Sequence, residues 1–242
     1  MKIACISDVH GNLPAFEAVA NDICQEKPDM VVFLGDLVFC GLYPRECYEM
    51  LLSLHPSCCI KGNTDANLEE ITSFKPSTDL EKKLYENMAY CDQQLTEQAK
   101  ADIASWPIAQ RIVLEGEEII ACHGSPYHSK DHLALGSNQL KLLSCKIEKE
   151  KVGHIFCGHT HIPQTFMLGN TTIVNAGAIG YSFDGDKRPS YCLATFGREI
   201  ETIQIKRLGY ASEGYKKKVL GSPLFGHDLW YILEHGTYEK RA

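Results

Sequence analysis

Five short apolar runs in this chain each close on a residue able to bind a metal ion. Ala4 to Ser7 leads into Asp8 and His10, Val31 to Gly35 into Asp36, Cys58 to Gly62 into Asn63, Ile119 to Cys122 into His123, and His154 to Gly158 into His159 and His161. Such runs, short, apolar and closed by glycine or polar groups, are the mark of buried strands. Open α/β sheets place their sites at the carboxyl ends of their strands, so the pattern predicts one metal centre built there. Asp8 and His10, like His159 and His161, stand two apart. On an extended or gently turning backbone both members of a pair point the same way, and each pair is expected to grip one ion.

The rest of the chain is compatible with such a centre. Its 242 residues, 44% hydrophobic and 23% charged, suffice for a substantial core. No repeat, linker or low-complexity stretch interrupts residues 1–242, which are expected to form a single domain. A formal charge of −7 argues against an extended nucleic-acid surface or an anionic membrane as partner, because those need clustered Lys and Arg. A small phosphate ester or nucleotide stays compatible, since bound cations would reverse the local field. The eleven cysteines are odd in number, form no CxxC pair, and include Cys5, Cys58, Cys59, Cys122 and Cys157 inside apolar runs. Free buried thiols are expected, which suits a reducing cytosol. A strand starting at once leaves no room for a signal-peptide apolar region, so a cytoplasmic location is predicted. Residues 152–183 carry no Asp, Glu, Lys or Arg, but their His, Asn, Pro and Gly content excludes a membrane span.

Along the chain, periodicity predicts strands over Lys2–Ile6, Met30–Leu34 and Ser57–Ile60, and helices over Leu13–Gln25 and from Pro44 to about Leu54. An excursion at about 66–106 turns to charged helical segments, Asp79–Cys91 and Thr96–Trp106, the latter with a capping opportunity between Thr96 and Gln98. Arg111–Leu114 and Glu118–Cys122 flank a Glu115-Gly116 hairpin turn. Thr165–Leu168, Thr171–Val174, Tyr191–Phe196 and Ile200–Lys206 are expected as antiparallel strands, with turns at Gly169-Asn170 and Gly197-Arg198. The tail from about Ala211 is predicted helical.

Taken in order, Asp8-Val-His10-Gly-Asn12, Gly35-Asp36, Gly62-Asn63-Thr64-Asp65, His123-Gly124 and Gly158-His159-Thr-His161 resemble the five-block signature of calcineurin-like metallophosphoesterases. The short chain and the segment Asn175 to Gly180 look most like the small phosphodiesterase branch. The resemblance implies a two-sheet αββα sandwich of the α/β class. It implies that Asp8, His10 and His161 hold one metal, that Asn63, His123 and His159 hold the other, and that Asp36 bridges them. The resemblance further implies catalytic roles for Asp36, Asn63 and His123. Imidazole, carboxylate and amide oxygen suit two divalent or trivalent transition-metal ions, Mn, Fe, Ni, Co or Zn, rather than the all-oxygen shells of Ca or Mg. The implied chemistry is hydrolysis of a phosphate ester, phosphodiester favoured, by a hydroxide activated between two metal ions. A protein or nucleotide phosphomonoesterase and a non-catalytic interaction subunit of the same fold, as in retromer, are the alternatives.

Thr64 departs from the protein-phosphatase-like members, which carry His there as a proton donor to the leaving group; a threonine hydroxyl is too weak an acid. His128 and His132 are candidate substitutes. Asn12 shapes the first turn or supports a ligand, and Asp65 orients position 64 or caps the following helix. Arg45 is either a phosphate grip or a solvated helix residue, and Lys216-Lys-Lys218 is expected on a solvated helix face. His55, His154, His227 and His235 are assigned no chemistry.

Overall fold

The computed structural model describes residues 1–197 and 202–238. The first quarter of the chain alternates strand and helix: β1 (Lys2–Ile6), α1 (Leu13–Glu26), β2 (Met30–Phe33), α2 (Pro44–Ser53) and β3 (Cys58–Cys59). Three helices follow, α3 (Asn63–Glu70), α4 (Asp79–Gln94) and α5 (Glu97–Ser105). Then come the hairpin β4 (Ala109–Leu114) and β5 (Glu117–Cys122), α6 (Asn138–Glu150), β6 (His154–Cys157), β7 (Gln164–Leu168) and β8 (Thr171–Asn175). The chain continues through β9 (Ser190–Thr195), β10 (Thr202–Arg207), α7 (Glu213–Leu220) and α8 (Gly226–His235).

The strands form two five-stranded sheets, in the orders β10-β9-β1-β2-β3 and β4-β5-β6-β8-β7. At the heart of each are three parallel strands, β1, β2 and β3 in one and β5, β6 and β8 in the other. Alternation along the strands explains the layers. Ile3, Cys5, Val32 and Leu34 face Ile119, Ala121, Phe156 and Val174 across the gap between the sheets. Ala4, Ile6, Val31 and Phe33 face outward onto α1 and α2, and Ile120, Cys122, Ile155 and Ile173 face α6. Both faces of the parallel strands are therefore buried, which is why they read as continuous apolar runs. Each large side chain so buried contributes about 1.5–3 kcal/mol of transfer free energy.

Three local expectations change. The four strands from β7 to β10 are not one antiparallel set: β7 pairs antiparallel with β8, but β8 runs parallel to β6, while β9 joins β1 in the other sheet. Ile200 and Arg198, expected in β10 and its turn, lie outside the described residues. At α5 the Thr96 hydroxyl accepts from Ala99 N at 3.1 Å, whereas Gln98 bonds Asp102 at 2.7 Å. The full capping box belongs instead to α4, between Thr78 and Glu81. Lys216 is 3% exposed and paired with Glu213 and Glu234, so it belongs to the α7–α8 contact rather than to a solvated face. Arg45 is solvated, bonding Glu49 one helical turn away at 2.9 Å. Among the described residues no helix is long and apolar enough to cross a membrane.

Candidate metal centre

All seven predicted ligands stand just past the carboxyl ends of β1, β2, β3, β5 and β6, strands drawn from both sheets. Five of them adopt a left-handed backbone: Asp8 (φ 54°), His10 (47°), Asp36 (59°), His159 (67°) and His161 (57°). Residues with a Cβ seldom do so, and such conformations persist only where surrounding bonds impose them. Here Asp8 N donates to Gly35 O at 2.9 Å, His10 N to Asp36 O at 3.1 Å and Gly11 N to Leu37 O at 3.0 Å. The β1–β2 ladder thus continues into the two loops, and Asp8 and Asp36 emerge side by side. His159 N donates to Asp8 Oδ2 at 3.0 Å, stitching the loop of the second sheet to that of the first.

The curled backbone corrects the expectation that each i, i+2 pair serves one ion. Asp8 and His10 do converge, joined by His161, but His159 turns instead to Asp36 and His123. In the first cluster Asp8 Oδ1 lies 3.3 Å from His161 Nε2 and 3.8 Å from His10 Nε2. In the second, His123 Nε2 lies 3.2 Å from Asp36 Oδ2 and 3.1 Å from Asn63 Oδ1. The clusters adjoin, since Asp36 Oδ2 is also 3.7 Å from His10 Nε2.

Three imidazoles are aimed by their far nitrogens. The Nδ1 atoms of His10, His123 and His161 face the carbonyl oxygens of Phe39 (3.2 Å), Leu34 (2.8 Å) and Tyr181 (2.7 Å). A carbonyl only accepts, so Nδ1 carries a hydrogen and Nε2 is the nitrogen turned inward, its lone pair open to a metal ion once no proton holds it. His10 Nε2 and His161 Nε2 are then 3.2 Å apart. Neutral rings would turn bare lone pairs on each other, a repulsion that only a proton or a cation between them relieves. Asp8 Oδ1 and His159 Nε2 are buried with no hydrogen-bond partner. Orphaned acceptors converging with imidazole nitrogens are the donor set a cation requires, and the residues fit the metal ions the sequence implies.

Electrostatics point the same way. Burial works against ionising Asp8, but the neighbouring His161 and His123 hold its carboxyl well below the usual range. Burial likewise opposes protonation of His123, yet the Asp36 and Asp8 carboxylates push it up to about 10, while Asp36 falls to about 2. His159 drops to about 4 through its burial and the charge on His123.

Asp36 is held by its surroundings. Thr64 N donates to Asp36 Oδ1 at 2.8 Å, leaving Oδ2 to face both clusters. The Thr64 hydroxyl is spent on Val38 O at 3.0 Å. Of the two roles considered for Asp65, it performs the cap, accepting from Gly62 N at 3.0 Å; rather than orienting Thr64 it holds the Asp36 loop, accepting from Asp36 N (2.8 Å) and Leu37 N (2.9 Å). Burial and the Asp36 charge raise its carboxyl to about 6. Asn12 caps α1 through Ala15 N and donates to Gly180 O at 2.6 Å. His132 stacks edge-on against the His159 ring at 4.8 Å, whereas His128 accepts from Lys130 N at 3.1 Å within its own turn. Two contributors escaped the sequence reasoning. Asn175 donates to Gly158 O at 2.5 Å and to the Thr160 hydroxyl at 3.0 Å, bracing the loop of His159. Tyr181 lays its ring against those of His10 (4.8 Å) and His161 (4.7 Å). The segment Asn175 to Gly180 stood out as a pattern, but no local signal ties it to a loop from another strand.

A sequence profile described as the calcineurin-like phosphoesterase superfamily domain matches residues 1–199. An uncharacterised protein of Methanocaldococcus jannaschii is 28% identical over 243 residues, covering 90% of this chain and 91% of its own. Phosphodiesterase YfcE of Escherichia coli is 23% identical over 195 residues, covering 77% and 83%. Among solved structures, a metallophosphoesterase from Sphaerobacter thermophilus superposes with a TM-score of 0.76 at 24% identity, covering 98% of this chain and 99% of its own. A hypothetical protein from Pyrococcus horikoshii does so with a TM-score of 0.82 at 17% identity, covering 98% and 99%. At these identities the superpositions establish the fold, an α/β sandwich of two sheets.

Proposed function

The chain belongs to the calcineurin-like phosphoesterase superfamily and is a phosphoester hydrolase of a metal-dependent family; from that premise we propose that it hydrolyses a phosphodiester at a binuclear centre formed by all seven predicted ligands. Asp8, His10 and His161 hold one ion, Asn63, His123 and His159 the other, and Asp36 lies between them. The observation that carries the reading is the pair of adjoining clusters, each within 4.8 Å across, with Asp36 Oδ2 facing both. Two bound cations supply, as chemistry, a water of lowered pKa and neutralisation of charge on the phosphoryl oxygens.

The chain's own residues do the positioning. The carbonyls of Phe39, Leu34 and Tyr181 keep three Nε2 lone pairs directed inward, and Thr64 N fixes the rotation of the Asp36 carboxylate. Imidazole and oxygen donors favour Mn, Fe, Co, Ni or Zn. The phosphodiester preference over a monoester draws support from Thr64, whose hydroxyl is committed to Val38 O, and from the likeness to the phosphodiesterase YfcE. No imidazole at position 64 protonates a departing alkoxide, so esters with good leaving groups are favoured. The whole chain acts as one domain, and its many buried thiols suit the cytoplasm.

The test is steady-state turnover of the manganese-loaded protein on paired aryl diester, aryl monoester and alkyl diester substrates. The aryl diester is expected to be hydrolysed fastest, with a steep fall from aryl to alkyl. Equal rates on aryl and alkyl esters would refute the leaving-group argument, and faster monoester hydrolysis would refute the diester preference.

A further inference from the structure

Three of the four imidazoles at the centre are aimed by a carbonyl oxygen on Nδ1, and His159 is the fourth. Among the described residues no carbonyl accepts from its ring, and its Nε2 is buried without a partner. Its backbone N is tied to Asp8, but that bond does not set the rotation of the ring about its side-chain torsions. The ring meets two other imidazoles, both edge-on: His123, itself a predicted ligand, at 5.2 Å and 65°, and His132 at 4.8 Å and 88°. Such contacts set the positive edge of one ring on the negative face of the other and so favour one orientation.

His132 belongs to none of the five ligand blocks. It is an exposed residue of the loop, residues 123–137, that joins β5 to α6. The backbone that carries it is nevertheless fastened on every side. His132 N donates to Gln139 Oε1 at 2.7 Å, and its carbonyl accepts from the hydroxyl of Ser137, the cap of α6, at 2.9 Å. On one flank Asp131 accepts from the buried Ser125 hydroxyl at 2.5 Å, and on the other Leu133 is 1% exposed in the core against α6. The loop closes down on Gly124, where a Cβ would come within 2.5 Å of Ser129 O and 2.7 Å of Asp131 O. The loop that leaves His123 is thereby held where it sets the His132 ring against His159.

We propose that His132 is a positioning residue of the metal centre: its ring, held edge-on, orients the His159 imidazole toward the ion shared with Asn63 and His123, the part that the carbonyls of Phe39, Leu34 and Tyr181 play for the other three rings. The role uses the shape of the ring and not its proton. The proposal rests on the binuclear reading, in which His159 belongs to the second ion. Partners that orient metal-ligating imidazoles are worth roughly 10–100-fold in metal affinity, and an edge-on ring, less directional than a hydrogen bond, is placed at the lower end.

Calorimetric titration of manganese into the metal-free protein tests it through a mutant cycle. His132→Ala is expected to weaken one of the two ions about tenfold and to leave the other within about twofold. His132→Phe, which keeps an edge-on ring and carries no acid, is expected to restore that affinity and the turnover of an aryl diester. Because His132 acts through His159, His132→Ala added to His159→Ala should leave the affinity of the remaining ion unchanged, whereas added to His161→Ala it should still cost about tenfold. Equal weakening of both ions, a Phe variant no better than the Ala variant, or a further loss in the His159→Ala background would overturn the proposal. A wild type that takes up fewer than two ions would refute the binuclear reading and the proposal with it, whereas two ions in the wild type with unmoved affinities in His132→Ala would refute the proposal alone.

Discussion

At the scale of single residues, the centre is governed by groups that touch no ion. Asp65 has its carboxylate bonded to the amides of Gly62, Asp36 and Leu37, all of them buried. Asp65→Asn turns an amide NH2 toward donors that need an acceptor and is expected to cost roughly 1–3 kcal/mol of stability. It should also lower metal content, which denaturant titration and elemental analysis would read separately. His123 gives a prediction of opposite kind. Its imidazole is raised to about 10 by Asp36 and Asp8, so in the metal-free protein it is protonated at neutral pH. A metal needs the same Nε2 lone pair, hence binding displaces about one proton per chain from this residue. Calorimetry in buffers of different ionisation enthalpy would detect that release, and His123→Ala should abolish it along with turnover.

At the scale of elements, close backbone approach sets the spacing of the ligand loops. A Cβ on Gly62 would overlap the backbone and carboxylate of Asp36, and one on Gly35 would come within 2.9 Å of His123 Nδ1. Gly62→Ala is expected to drive the β2 and β3 loops apart and lose metal binding. Gly214→Ala in α7, where a Cβ meets open space, should be neutral or stabilising by about 0.5–1 kcal/mol. Paired metal analyses and thermal melts of the two variants would check this contrast. The strands that carry the ligands were legible because parallel strands buried on both faces write themselves as apolar runs closed by polar groups. Their assortment into two sheets was not, since β8 and β9 look alike locally and are separated only by which strand each pairs with. Helix α6 shows its signal plainly, with Ser137 capping it and Leu140, Leu143 and Ile147 buried on one face. It lies, however, in a stretch where the ligand spacing sets no expectation. The seven ligands and their division between two ions could be named through the family pattern, whereas spacing alone pairs His159 with His161, because the left-handed turns that part them are encoded in neither residue type.

At the scale of the whole molecule, binding and folding are linked. Ions that bind only the folded chain stabilise it by mass action, so chelation is expected to lower the melting temperature and to do so less in a ligand variant. Acid acts elsewhere too. Asp186, bonded to Arg188 and near Arg207, has its carboxyl lowered to about 2. A depressed folded-state value contributes stability that is complete above the unfolded value near 4 and is lost as pH falls through about 2. Asp186→Asn should therefore flatten the stability profile between about pH 4 and pH 2 and leave turnover at neutral pH unchanged. If two sheets converge on one binuclear site that hydrolyses phosphodiesters, metal stoichiometry and turnover measured on the same samples must move together. The wild type should hold two ions per chain and hydrolyse an aryl diester, whereas Asp36→Asn, which alters the group between the clusters, should lose both together. A wild type that is active with one ion or none, or an Asp36→Asn variant that keeps two ions and full turnover, would contradict it.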